Sequence, residues 1–341
     1  MAELTKTLKR WTSRFFTGLG VFFFLIMAGS LVLGWFARPR PPAPAEHNIL
    51  TVSIDGEIPE SYGLTNLVAA FGPPEPVFSE IVTALHRAVH DPLIEAVAIH
   101  LTGGGSDLPL AQAQELREAL LAHSMNDKPV YFYADSFGEG GPGLIPYYLA
   151  TAADEIWLHP LGQISITGLS IQQPFFKGLL NKLGIKPHLL KQGAFKTAAE
   201  TFMRENASDQ NVRMTQRLIG NLYRQIKPEI LRTRSLSSEA VSDLVNLAPH
   251  GFETGLISGL IDDVGYFDQF AKRIKSAHKK ASTFPLDRYI SHTLPTGIRR
   301  RFKPIHTVVI DGLLINQSTD APSFGGRGQA NAEPLAENIV A

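Results

Sequence analysis

The chain has 341 residues, no cysteine, and 32 lysines and arginines balanced by 32 aspartates and glutamates. Neutral net charge leaves no basic excess to displace counterions from phosphates, so the sequence does not read as a nucleic-acid binder. Without cysteine there can be no disulfide, thiolate metal site or cysteine nucleophile.

The first feature along the chain is apolar. From Phe15 to Ala37 there are 23 consecutive uncharged residues. At about 1.5 Å per residue, a helix of that length crosses the roughly 30 Å hydrocarbon core of a bilayer. Lys6, Lys9, Arg10 and Arg14 precede the run, and Arg38 and Arg40 follow it closely. The bias predicts a cytoplasmic tail over 1–14, a transmembrane anchor over 15–37 and an exported body. A cleaved signal peptide ending at Ala43-Pro44-Ala45 is the rival reading, and the run exceeds the usual apolar region of such peptides. The proline-rich stretch within 38–47 reads as a stiff spacer.

The folded body is expected over 48–275. Ile49–Ile54 is β-branched and ends at Asp55-Gly56, which predicts a strand followed by a turn. Phe78, Ile81, Val82, Leu85 and Val89 recur at helical spacing. Ala96–Leu101 is a continuous apolar run of strand length, as suits a sheet covered on both faces. After Gly103-Gly104-Gly105, a helix is expected over Leu110–Ala122, a strand at Pro129–Tyr133, a helix at Tyr147–Ala152 and a strand at Glu155–His159. Alternation continues through Phe175–Leu183 and a short strand at His188–Leu190. A long helix is then predicted over Asp209–Ile226, with Val212, Leu218, Ile219, Leu222 and Ile226 inward and Pro228 ending or kinking it. This order predicts an α/β fold with a mainly parallel sheet. Ser276–Thr296 is polar and reads as irregular, giving a linker over 276–304.

The body also repeats itself. Ile49–Ile58 returns 256 residues later as Ile305–Leu314, with six of ten positions identical. Pro76…Ile81-Val82 is echoed at nearly the same offset by Pro334…Ile339-Val340. Residues 305–341 therefore read as the start of a second copy of the domain, and Ala341 falls near the beginning of that copy's first helix. The expectation is a chain truncated early in its second domain.

The segment Gln192-Gly193-Ala194-Phe195-Lys196-Thr197-Ala198-Ala199-Glu200-Thr201-Phe202 resembles the G-x-[YF]-K-[ST]-A-x-E-x-F stretch of signal peptide peptidase A (protease IV), long form. Leu101–Gly105, Tyr147–Ala150, Glu155–Pro160, Ser165–Gly168 and Gly255–Asp262 extend the resemblance over nearly everything after the anchor. It implies a crotonase- and Clp-like α/β superhelix and a ring-like tetramer. The family's anchored, tandem-domain protein sits in the inner (cytoplasmic) membrane with its body on the periplasmic side. It works without a cofactor on peptides such as signal-peptide remnants. By resemblance, Lys196 is the general base of a Ser–Lys dyad, a role that requires a neutral amine, and desolvation by neighbours such as Ala194 and Phe195 would favour that form. The nucleophilic serine belongs to the second domain. In the first, the corresponding stretch Gly138–Pro146 contains no serine, so the chain is expected to supply the lysine alone and to be inactive by itself.

Other candidates are weaker. Gly103, Gly104 and Gly105 could present N–H groups to an oxyanion or a peptide carbonyl, although a flexible turn is the reading preferred. Ser136 reads as a turn serine, and the absence of G-x-S-x-G argues against an α/β-hydrolase. His86 and His90 lie four apart on one helix face but lack a third ligand, so no metal site is expected. Two further readings stay open: a non-catalytic membrane-anchored scaffold or peptide-binding homologue, and a crotonase-type acyl-CoA enzyme.

Overall fold

The computed structural model describes residues 44–60 and 76–293, the isolated positions 23, 24, 26, 27, 29 and 30, and the backbone of Leu313–Ile315 and Gln329–Asn331. The chain divides into two compact units, Met1–Ala43 and Pro44–Ala341. In the first, the described positions are helical. Among the described residues no helix is long and apolar enough to cross a membrane. Most of the anchor expected over 15–37, and nearly all of the second copy expected over 305–341, lie outside the described residues.

The second unit is built on a six-stranded parallel sheet. Its strands are β1 (Asn48–Ile54), β2 (Ile94–Leu101), β3 (Val130–Ala134), β4 (Glu155–Leu158), β5 (Asp263–Val264) and β6 (Ser282–Pro285), in the order β5-β4-β3-β2-β1-β6. The register pairs Ser53 with His100 and His100 with Tyr133. Alternation sorts the strand side chains between two cores. Leu50, Val52, Val97, Ile99, Leu101, Phe132 and Ala134 face the larger core. There they meet α1 (Phe78–His90), α2 (Leu110–Ser124) and α3 (Leu144–Ala150). Ile49, Ala96, Ala98, Tyr131, Tyr133 and Trp157 face the other way, toward Phe270 and Ile274 of α9 (Phe267–Ala277). The two alanines on β2 leave room for the Phe270 ring, which lies 5.2 Å from Tyr133 and 5.8 Å from Trp157. Strands buried on both faces need near-continuous apolar sequence, which is why these runs were conspicuous. A separate parallel pair joins β7 (Leu313–Ile315) to β8 (Gln329–Asn331).

Between β4 and β5 the chain forms α4 (Lys177–Lys182), α5 (Glu200–Met203), α6 (Asp209–Arg234), α7 (Ser238–Leu247) and α8 (Phe252–Ile257). Three expectations are corrected here. His188–Leu190 forms no strand, being irregular and exposed, and among the described residues it pairs with none. Helix α6 continues through Pro228 to Arg234 and stops where Ser235 turns left-handed at φ 53°. Past the proline, burial of Ile230 and the Arg234 guanidinium bound to Asp262 at 2.8 and 3.0 Å anchor the last turns of the helix. Of the stripe assigned to its inner face only Ile226 is buried, while Val212 and Leu218 are exposed.

A further correction concerns Ser276–Thr296. Within that polar stretch, β6 pairs with β1 at the sheet edge and α10 (Leu286–Thr293) sends Leu286, Tyr289 and Ile290 into the main core. Edge position explains the polar composition, since one side of the strand has no partner to bury it. Residues 294–304 lie outside the described residues.

Candidate active site

Lys196 sits at the junction of two consecutive turns. Lys196 N donates to Gly193 O at 3.4 Å, and Glu200 N donates to Thr197 O at 2.9 Å. Gly193 has φ +94°, with open space where a Cβ would stand, so glycine is required there by backbone conformation rather than by crowding. The lysine borders a cavity of about 760 Å³ whose walls include Leu189, Leu190, Gln192, Phe195 and Phe202. Those walls are apolar but open. Phe195 is 62% exposed, and Ala194 and Lys196 are exposed as well. The described residues therefore do not supply the desolvation expected from Ala194 and Phe195.

What holds this segment is polar. Between residues 167 and 225 the buried side chains are Thr197, Glu200 and Asn211. Glu200 is 2% exposed and accepts from Ser208 Oγ at 2.7 Å, Ser208 N at 3.1 Å and Asn211 Nδ2 at 3.1 Å, with Lys191 Nζ at 3.7 Å. Burial alone would raise its carboxyl, but the hydrogen bonds from Ser208 and Asn211 and the Lys191 charge outweigh it and hold the group at about 2. Glu200 lies inside the motif that marks Lys196, yet its role as a hub could not be read from the sequence. Its partners stand 8 to 11 positions downstream, in a separate helix.

Gly103, Gly104 and Gly105 form a 3₁₀ turn after β2 with φ of 59°, 75° and 63°. The turn is packed. A Cβ on Gly103 would meet Asp55 Oδ1 at 2.5 Å, one on Gly104 would meet Glu139 N at 2.5 Å, and one on Gly105 would meet Leu101 Cδ1 at 2.8 Å. Gly138 N donates to Gly104 O at 2.8 Å, which places the triplet against the turn that precedes α3. The lining of the Lys196 cavity comes wholly from residues 189–202, so the structure does not bring the triplet into that cavity.

Ser136 is buried and committed, its hydroxyl donating to Gln163 O at 3.0 Å and accepting from Gln163 N at 3.2 Å. His86 and His90 are exposed on α1, and among the described residues no three His, Asp or Glu side chains form a metal-holding group. One pair had no sequence signal at all. His100 Nε2 lies 3.0 Å from Asp135 Oδ1, and its ring stacks on Phe267 at 4.5 Å. These groups stand 35 residues apart and meet because β2 and β3 are neighbours.

Comparison with known proteins bears on the same stretch of chain. Residues 122–282 match peptidase family S49, a stretch that includes Lys196, Glu200 and the whole of α6. Protease 4 of Haemophilus influenzae is 28% identical over 264 residues, covering 72% of this chain and 42% of that protein. The chloroplastic serine protease SPPA of Arabidopsis thaliana is 26% identical over 193 residues, covering 55% of this chain and 27% of that one. The chain thus spans less than half the length of these relatives. Among solved structures, a peptidase from Plasmodium falciparum aligns with a TM-score of 0.34 at 11% identity, covering 63% of this chain and 95% of that one. Residues 122–282 are thus similar to peptidase family S49, and the stretches aligned with these relatives make the chain similar to SppA-type proteases.

Proposed function

We propose that the chain supplies the lysine half of a membrane-anchored serine peptidase of the signal peptide peptidase type, with Lys196 as general base. The observation that carries this reading is Lys196 at the rim of an apolar-walled cavity inside the S49 match. In the reaction, a serine Oγ attacks the peptide carbonyl as the lysine amine takes its proton, and the ammonium then protonates the leaving amine. The resulting acyl-enzyme is released by water, for which the same lysine serves again as base.

A neutral lysine requires surroundings drier than those the described residues give Lys196. Leu190, Phe195 and Phe202 expose their side chains beside it, and apolar cover over them would exclude water from the amine. Such cover suits a serine-bearing second domain or further copies in a homotetramer with the crotonase- and Clp-like superhelix. Substrates in this reading are signal-peptide remnants and other apolar peptides, reached from an inner-membrane anchor with the body on the periplasmic side. A non-catalytic, peptide-binding scaffold is the second reading. It is favoured by the exposure of Ala194, Phe195 and Lys196 among the described residues, which leaves the amine in contact with water.

Hydrolysis of a fluorogenic apolar peptide by the complete gene product, with and without Lys196→Ala, separates the two. The dyad reading expects kcat to fall by roughly 10²-fold or more, the usual contribution of a general base. Equal rates for both proteins would leave the scaffold.

A further inference from the structure

We propose that Glu200 is a positioning residue for Lys196: its buried carboxylate ties the two base-bearing turns to the first turn of α6, in an arm with no apolar core of its own. The inference rests on Lys196 being the base.

No apolar side chain of the arm from 167 to 225 is fully buried; Leu169 and Tyr223, near its two ends, pack half-buried on the main core, so little apolar burial fixes the part between them. Three stretches of backbone meet at the carboxylate instead. Lys191 and Glu200 itself bracket the turns around Lys196. Ser208 and Asn211 bring in the start of α6. The Asn211 amide also reaches Gln173 Oε1 at 2.9 Å, while Gln173 Nε2 donates to Thr201 Oγ1 at 3.4 Å and Phe176 N donates to Thr201 O at 2.7 Å. Every group facing Glu200 is a donor, which suits an acceptor-only carboxylate; an amide would turn its own NH₂ against one of them. The link to Lys196 is short. Glu200 N closes the turn at Thr197, and Thr197, itself buried, is bonded directly to Lys196. Loosening the hub therefore moves the Lys196 backbone, and displacement of a reacting group by about 1 Å can cost 10²-fold in rate.

The test uses the complete gene product and the variants Glu200→Ala, Glu200→Gln, Ser208→Ala and Lys196→Ala. Amide hydrogen exchange, read peptide by peptide, should speed by roughly tenfold or more over 193–201 in Glu200→Ala while β1–β4 stay protected. Peptide hydrolysis by the same variant should lose about tenfold or more in kcat with KM within about threefold. Glu200→Gln, which keeps one oxygen to accept from Ser208 N and Asn211 but turns its NH₂ toward Ser208 Oγ and Lys191, should recover only part of that loss. If Glu200→Ala fails to fold, Ser208→Ala must show the same two changes at smaller size. Unchanged exchange over 193–201 overturns the proposal. So does faster exchange with wild-type kcat, which would make the hub merely structural. If Lys196→Ala retains full activity, the base reading itself falls and takes the proposal with it.

Discussion

Ser208 serves two elements with one hydroxyl: it donates to Glu200 Oε1 at 2.7 Å and accepts from Asn211 N at 3.2 Å as the N-cap of α6. The start of α6 and the segment that carries Lys196 are therefore held by the same group. Acid should act at this joint. The Glu200 carboxyl is held at about 2, below its ordinary 4.5, so its contribution is complete above pH 4.5 and fades as pH falls through about 2. Limited proteolysis at pH 3 and pH 6 with an acid-tolerant protease should show new cleavage within 191–208 at the lower pH. Equal resistance at both values would count against the ionised hub.

A second titration belongs to the core. His123 is fully buried between α1 and α2, and its Nε2–H donates to Leu85 O at 2.9 Å while Nδ1 has no partner. Burial pushes its pKa down to about 4. The folded state thus takes up this proton later than the unfolded chain, so stability is complete above pH 6.5 and is lost as pH falls toward 4. Between pH 7.5 and 5 the loss from this group is about 2 kcal/mol. His123→Gln can keep a donor toward Leu85 O without titrating. Urea midpoints for this variant should be nearly flat over that range, and a slope equal to wild type would remove His123 as the cause.

The far end of α6 is fixed by charge. Arg234 meets both oxygens of Asp262 at 2.8 and 3.0 Å and donates to Gly259 O at 2.7 Å, while Asp262 Oδ2 accepts from Ile156 N at 2.7 Å at the start of β4. Arg234→Met would leave the aspartate and a carbonyl short of their donors. The expected cost is about 2 kcal/mol, below the figure for fully buried pairs because Asp262 is partly exposed. Thermal unfolding measures it directly. A change within about 0.5 kcal/mol would mean that the bidentate pair contributes little beyond a surface ion pair.

Those parts of the fold whose residues are buried by near neighbours in the same unit were legible in the sequence. Phe78, Ile81, Val82, Leu85 and Val89 announced α1 because their periodicity matches what covers them. The same kind of stripe on α6 was misleading. Val212 and Leu218 repeat as an inner face should, but periodicity reports that a face is apolar and not whether anything lies against it. Strand β6 was hidden by the opposite effect, since Ser282-Thr283-Phe284-Pro285 carries little of the composition of a central strand. At the candidate site, Lys196 was found by its motif. The Glu200 hub and the His100–Asp135 pair depend on which elements lie side by side, and no local pattern encodes that.

Gly104 offers the most direct test of the glycine turn. Its φ of +75° already disfavours any side chain, and a Cβ would stand 2.5 Å from Glu139 N, 3.1 Å from Glu139 Cβ and 3.3 Å from Glu139 Cα. Backbone cannot step aside as a flexible side chain can, so Gly104→Ala must push the Gly138–Gly143 turn away and stretch the bond from Gly138 N to Gly104 O. Gly140 separates the two costs, because its φ of +70° is similar while the space around it is open. Gly140→Ala should cost about 1 kcal/mol, the conformational part alone. Gly104→Ala should cost roughly 3 kcal/mol or more, adding the overpacking. Denaturant unfolding of both variants gives the difference. A difference near zero would mean that the turn before α3 yields easily, and the triplet would then be a loose connection rather than a fixed wall at the end of β2.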